Sequence, residues 1–111
     1  MARVKPILID RPSASRGRAG EIAAMLNLGP KTAAWLDAAG IHTRAQVAKL
    51  GPIGVCRRLL ETGRPVSVLM AYAVEGALSG THWNALPAET KQALRAEFAK
   101  MRADVRRGRQ L

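Results

Sequence analysis

Three observations predict an all-α fold. Aromatic residues make up only 4% of the 111 residues while hydrophobic residues reach 48%, so the core has to be assembled from Ala, Leu, Val, Ile and Met, which suit close helix packing better than pleated sheets. Apolar residues recur three or four apart, and the repeats are broken by Gly29-Pro30, Gly51-Pro52 and Gly63-Arg64-Pro65, which end one helix and start the next. A chain of this length suits one compact domain. The predicted architecture is a small bundle of five to six helices.

Residues 1–18 carry five bases and one acid, and the run Arg11-Pro12-Ser13-Ala14-Ser15-Arg16-Gly17-Arg18 has too little apolar surface to fold. A flexible basic tail is expected there, with the folded domain over residues 19–107. A first helix is predicted over residues 20–27, with Ile22, Ala23, Met25 and Leu26 as its apolar surface. The second covers residues 30–39 and stops at Gly40, a favoured residue just past a helix end. Thr43-Arg44-Ala45-Gln46 matches a capping box and opens a short third helix up to Leu50. After Gly51-Pro52 a fourth helix over residues 52–62 carries the stripe Ile53, Cys56, Leu59 and Leu60.

Ser67 is the expected N-cap of a fifth helix over residues 68–78. That segment is apolar nearly all round, so it belongs at the centre of the domain, and it falls short of the roughly 20 residues a bilayer requires. Pro87 and Glu89 begin a last helix in which Leu94, Phe98, Met101 and Val105 repeat at four, three and four, a narrow seam that ends in a basic tip over residues 102–109. The turns at Leu28-Gly29-Pro30 and Gly63-Arg64-Pro65 define two helix-turn-helix units. The arrangement is therefore pseudo-duplicated, with a C-terminal helix added.

The first of these turns carries the functional signal. In Asn27-Leu28-Gly29-Pro30-Lys31-Thr32 the missing N–H of Pro30 costs nothing at a helix start, and the free amides of Lys31 and Thr32 point outward with the positive end of the helix dipole. The Lys31 ammonium stands beside them, a combination suited to a phosphate. The stretch resembles a helix-hairpin-helix, which grips nucleic-acid backbone without reading bases. Where that pattern usually has glycine before the hairpin's hydrophobic residue, this chain has Asn27, the next-best residue for a left-handed conformation. Asn27, Leu28, Gly29, Pro30, Lys31 and Thr32 are the candidate nucleic-acid-binding residues.

Eighteen bases against eight acids leave a net charge of +10, which directs attention to polyanionic partners. The excess sits at both ends: residues 87–111 hold seven bases and three acids, whereas residues 21–86 hold six and four. No nucleophile elbow, nucleotide loop or metal-ligand spacing is present in the sequence, and catalysis, a cofactor and a small-molecule substrate are not expected. Cys56, the only cysteine, fits a buried small hydrophobe. His42 is read as a surface residue and Trp83, in the loop before the last helix, as a core plug. With one cysteine, no signal peptide and no long apolar run, a cytoplasmic protein without a membrane partner is expected.

Over about residues 25–98 the chain resembles the C-terminal domain of the TfoX (Sxy) competence-regulator family. The resemblance rests on Asn27-Leu28-Gly29-Pro30-Lys31, Trp35-Leu36, Gly40-Ile41-His42-Thr43, Leu50-Gly51, Arg57-Arg58-Leu59, Pro65-Val66-Ser67, Tyr72-Ala73, Glu75-Gly76-Ala77-Leu78 and His82-Trp83-Asn84-Ala85-Leu86-Pro87. It implies a helix-hairpin-helix-like domain that serves regulation of DNA uptake and transformation genes, working at promoters alongside a transcription factor. Full members also carry an N-terminal α/β domain, in whose place this chain has the basic segment over residues 1–18. The expected function is a DNA-binding or DNA-associated transcriptional regulatory module. The alternative is an adaptor that docks on a transcription factor or polymerase subunit, for which the Leu94, Phe98, Met101, Val105 seam is the candidate surface.

Overall fold

The computed structural model describes residues 20–110, so the expected tail over residues 1–18 lies outside the described residues. Helix α1 covers residues 20–23, followed by α2 (Pro30–Ala38), α3 (Arg44–Glu61), α4 (Val68–Ser79), a 3₁₀ turn (Trp83–Ala85) and α5 (Ala88–Gln110). No strand occurs among the described residues. The all-α class and the helix count agree with the sequence reading.

Two boundaries differ from expectation. Helix α1 ends at residue 23, not 27, and the chain continues through tight turns in which Met25 N–H donates to Ile22 O and Leu28 N–H to Met25 O. Turns of this three-residue period bring side chains at i and i+3 into line, and Ile22, Met25 and Leu28 are indeed all buried. Leu26, expected on the apolar face, falls off that line and is 44% exposed.

The second difference concerns the third and fourth expected helices, which follow one another without a loop as the two limbs of α3. The bend is at Gly51 (φ 73°, ψ 172°), with Pro52 starting the second limb. That backbone region is open essentially to glycine alone, and proline tolerates the broken hydrogen-bond ladder because it has no N–H to lose. A Cβ at residue 51 would meet nothing within 4 Å, which isolates the backbone term. Gly51→Ala is therefore expected to cost about 1–3 kcal/mol, read as a lower urea midpoint at unchanged slope.

The capping signals hold. Thr43 and Gln46 form the reciprocal box at the start of α3, and Ser67 Oγ accepts from Leu69 N–H at the start of α4. Glu21 on α1 adds a bond from Arg44 N–H (2.6 Å), and Arg58 of α3 donates to Ala39 O (3.1 Å) past the end of α2. The last two tie the start of α3 and the end of α2 to other elements, satisfying groups a helix cannot satisfy alone.

Helix α4 is central, as its composition requires. Val74 and Ala77 join the largest cluster with Ile22, Leu36, Ile41 and Val55. Ala71 joins Cys56, Phe98, Met101 and Val105, and Tyr72 joins Leu86 and Leu94. The apolar seam of α5 is thus consumed inside the domain, packed on α3 and α4. The adaptor reading loses the surface that motivated it. Trp83 is only half-buried and packs at the edge of the Tyr72 cluster, a shallower placement than a core plug. His42 lies near the surface with Nδ1 2.5 Å from Asp37 Oδ1.

Candidate nucleic-acid interface

The bend between α1 and α2 is shaped by Asn27, the one non-glycine residue at positive φ (70°) among the described residues. Asparagine tolerates this left-handed conformation better than other side-chain-bearing residues. Its amide is turned inward. Nδ2 donates to Thr81 O (3.0 Å) and Ala73 O (3.3 Å), and Oδ1 accepts from Trp83 N–H (3.1 Å). Asn27 therefore pins the bend to α4 and to the chain leaving it.

Room for that amide comes from Gly76 on α4. A Cβ there would stand 2.4 Å from Asn27 Nδ2 and 2.3 Å from Thr81 O. Neither the inward role of Asn27 nor the need for Gly76 was visible in the sequence, because the partners lie some fifty residues from Asn27.

The structure divides the six candidate residues. The Asn27 amide and the Leu28 side chain face inward, Leu28 being a core residue at 7% exposure, and both position the turn. Gly29, Pro30, Lys31 and Thr32 remain at or near the surface. Gly29 is extended (φ −136°, ψ −173°) and is the N-cap of α2 without any side-chain hydrogen bond. Lys31 and Thr32 N–H find no acceptor among the described residues. A serine or threonine cap would take one of these amides, as Thr43 and Ser67 do for α3 and α4; glycine leaves both open.

The charge at this terminus is larger than Lys31 alone supplies. Lys31 Nζ lies 5.5 Å from the centroid of the Trp35 ring and Arg64 Cζ lies 5.3 Å from the same centroid. Both distances fall in the cation–π range. The second turn thus delivers its arginine to the first. Neither cation is paired with a carboxylate among the described residues, so two like charges share one half-buried ring beside open amides. An anion placed there answers both. In the sequence Arg64 is only part of a turn, because nothing local marks the ring it meets twenty-nine residues earlier in the chain.

No group of three or more His, Cys, Asp or Glu among the described residues could hold a metal ion. Cys56 is fully buried, and burial pushes its thiol up to about 12. The thiolate, which is the reactive form, is therefore scarce at neutral pH. No helix among the described residues is long and apolar enough to cross a membrane.

Fold and surface together define a small all-α domain of five helices with α4 at its centre, and a basic start of α2 that carries no side-chain cap. The family model of the TfoX C-terminal domain matches residues 18–98, and the chain belongs to that family. An uncharacterized protein from Listeria monocytogenes, known from its crystal structure, is 28% identical and superposes with a TM-score of 0.63, covering 67% of this chain and 84% of that one. No curated protein matches the chain.

Proposed function

We propose that this chain is a DNA-binding transcriptional regulatory module, related to competence regulators and acting in the cytoplasm without catalysis, that grips phosphate backbone at the start of α2. The observation that carries this reading is the pair of acceptor-free amides at Lys31 and Thr32 next to the Lys31 and Arg64 cations gathered on Trp35. Amides at a helix start favour an oxyanion through both geometry and dipole. Contacts of this kind position a duplex but carry no base information. Sequence preference therefore has to come from a partner or from DNA shape.

Two substitutions separate the charge from the amides. Lys31→Glu is expected to weaken binding of a short duplex by about tenfold for every sequence and to lower the salt slope by about one. Gly29→Ser leaves net charge untouched but offers the amides an internal acceptor, in a position where a Cβ meets nothing within 4 Å. It is expected to weaken binding while changing stability by only a few tenths of a kcal/mol. Anisotropy titrations at two salt concentrations check both. Unchanged affinity in both variants removes the α2 terminus from the mechanism, and loss of all binding on deleting residues 1–18 alone assigns the attraction to that segment's charge.

A further inference from the structure

A second gathering of cations adjoins the first. The connection between α3 and α4 and the C-terminal half of α5 enclose an open cleft of about 500 Å³, lined by Arg64, Arg102 and Arg106 and by the apolar side chains of Leu60, Val66 and Val105. Three arginines from two elements thus line one space. None has a carboxylate partner among the described residues. The acids nearest in sequence, Glu61 and Asp104, are paired with Arg57 and Arg107 and line a separate, smaller cleft that shares Val105.

Helix capping does not explain the placement of Arg102. The attraction of a helix C-terminus for cations fades within its last turn, whereas Arg102 stands about two turns before the end of α5. The cleft is also large compared with a single small anion, and its apolar lining suits the carbon skeleton that flanks a phosphate in a nucleic-acid strand. Arg64 belongs to both places: it lines this cleft and lies against Trp35 beside Lys31.

We propose that the Arg64, Arg102 and Arg106 cleft binds phosphodiester groups, and that Arg64 links it to the start of α2 so that one nucleic-acid backbone is held at both. The proposal rests on the nucleic-acid reading above. Guanidinium forks match phosphate oxygens two at a time, and each arginine that neutralises a phosphate releases a counter-ion condensed on the nucleic acid and so adds to the salt dependence of binding.

The test compares four full-length proteins binding a short fluorescent duplex at two salt concentrations: wild type, Lys31→Glu, the pair Arg102→Gln with Arg106→Gln, and an equal-charge control pair, Lys49→Gln with Lys100→Gln, whose side chains are exposed elsewhere. The arginine pair is expected to lose about tenfold in affinity and about two units of salt slope, with a clearly smaller loss in the control. An arginine pair that behaves like the control, while Lys31→Glu still weakens binding, overturns the cleft and leaves the α2 grip standing. The reverse pattern supports phosphodiester binding in the cleft but overturns the α2 grip and, with it, the single backbone held at both. A wild type that binds no duplex at either salt overturns both, and a polyglutamate peptide that competes as well as duplex of equal charge overturns the phosphodiester assignment.

Discussion

Gly76→Ala is expected to destabilise the domain by about 3 kcal/mol, the sum of overpacking and a broken, partly buried hydrogen bond. In an exposed helix the same change stabilises by up to about 1 kcal/mol, so the predicted sign is the reverse of the ordinary one. The reason is that the new methyl has nowhere to go. Thr81 O, 2.3 Å from where that methyl carbon would stand, is backbone fixed by the turn in which Thr81 N–H donates to Gly76 O (2.8 Å) and Gly80 takes a left-handed conformation. Asn27 Nδ2, at 2.4 Å, is held by its two carbonyl acceptors. Accommodating alanine means opening the turn that ends α4 or expelling the Asn27 amide. For a domain of this size the melting temperature should fall by roughly 15 °C, and a melting temperature at or above that of wild type would show that the close approach is not structural.

What the sequence makes legible is what is encoded locally. The Thr43 to Gln46 box, the Ser67 cap and the break at Gly51-Pro52 each lie within four residues of the groups they serve, and all three stand in the structure. The uniform apolarity of α4 and the seam on α5 were equally readable, because burial on many sides or on one face leaves a periodic trace. Arg58 reaching Ala39 O, Arg64 sharing Trp35 with Lys31, and the Asn27 amide meeting residues 73, 81 and 83 leave none. Such contacts depend on which turns the fold brings together, and a polar residue in a turn looks the same whether its side chain meets water or another helix. The end of α1 was misplaced for a related reason. A continued helix and a run of tighter turns both bury Ile22 and Met25, and the choice is made by the tertiary bonds of Asn27.

Those bonds make Asn27 the second site of large effect. Asn27→Ala removes the side chain that serves Ala73 O, Thr81 O and Trp83 N–H and places alanine at φ 70°; the expected loss is about 3 kcal/mol, combining unsatisfied polar groups with backbone strain. Asn27→Gly relieves the strain and should recover about 1 kcal/mol of it. Asn27→Asp keeps an acceptor for Trp83 N–H but turns a carboxylate toward two carbonyl oxygens. The folded state then favours the protonated acid, which can donate, so its pKa is raised and the penalty should shrink as pH falls toward about 4. In the Gly76→Ala background Asn27→Ala should cost less than in wild type, because it removes one of the two groups the new methyl clashes with; the residues touch and their effects cannot add. The same variants bear on function in a separable way. The Asn27 amide is engaged with Ala73, Thr81 and Trp83, so Asn27→Gly should lower DNA affinity with the salt slope intact, whereas Lys31→Glu lowers both. An Asn27→Gly protein with wild-type affinity would show that the open amides of α2 need no anchoring from α4.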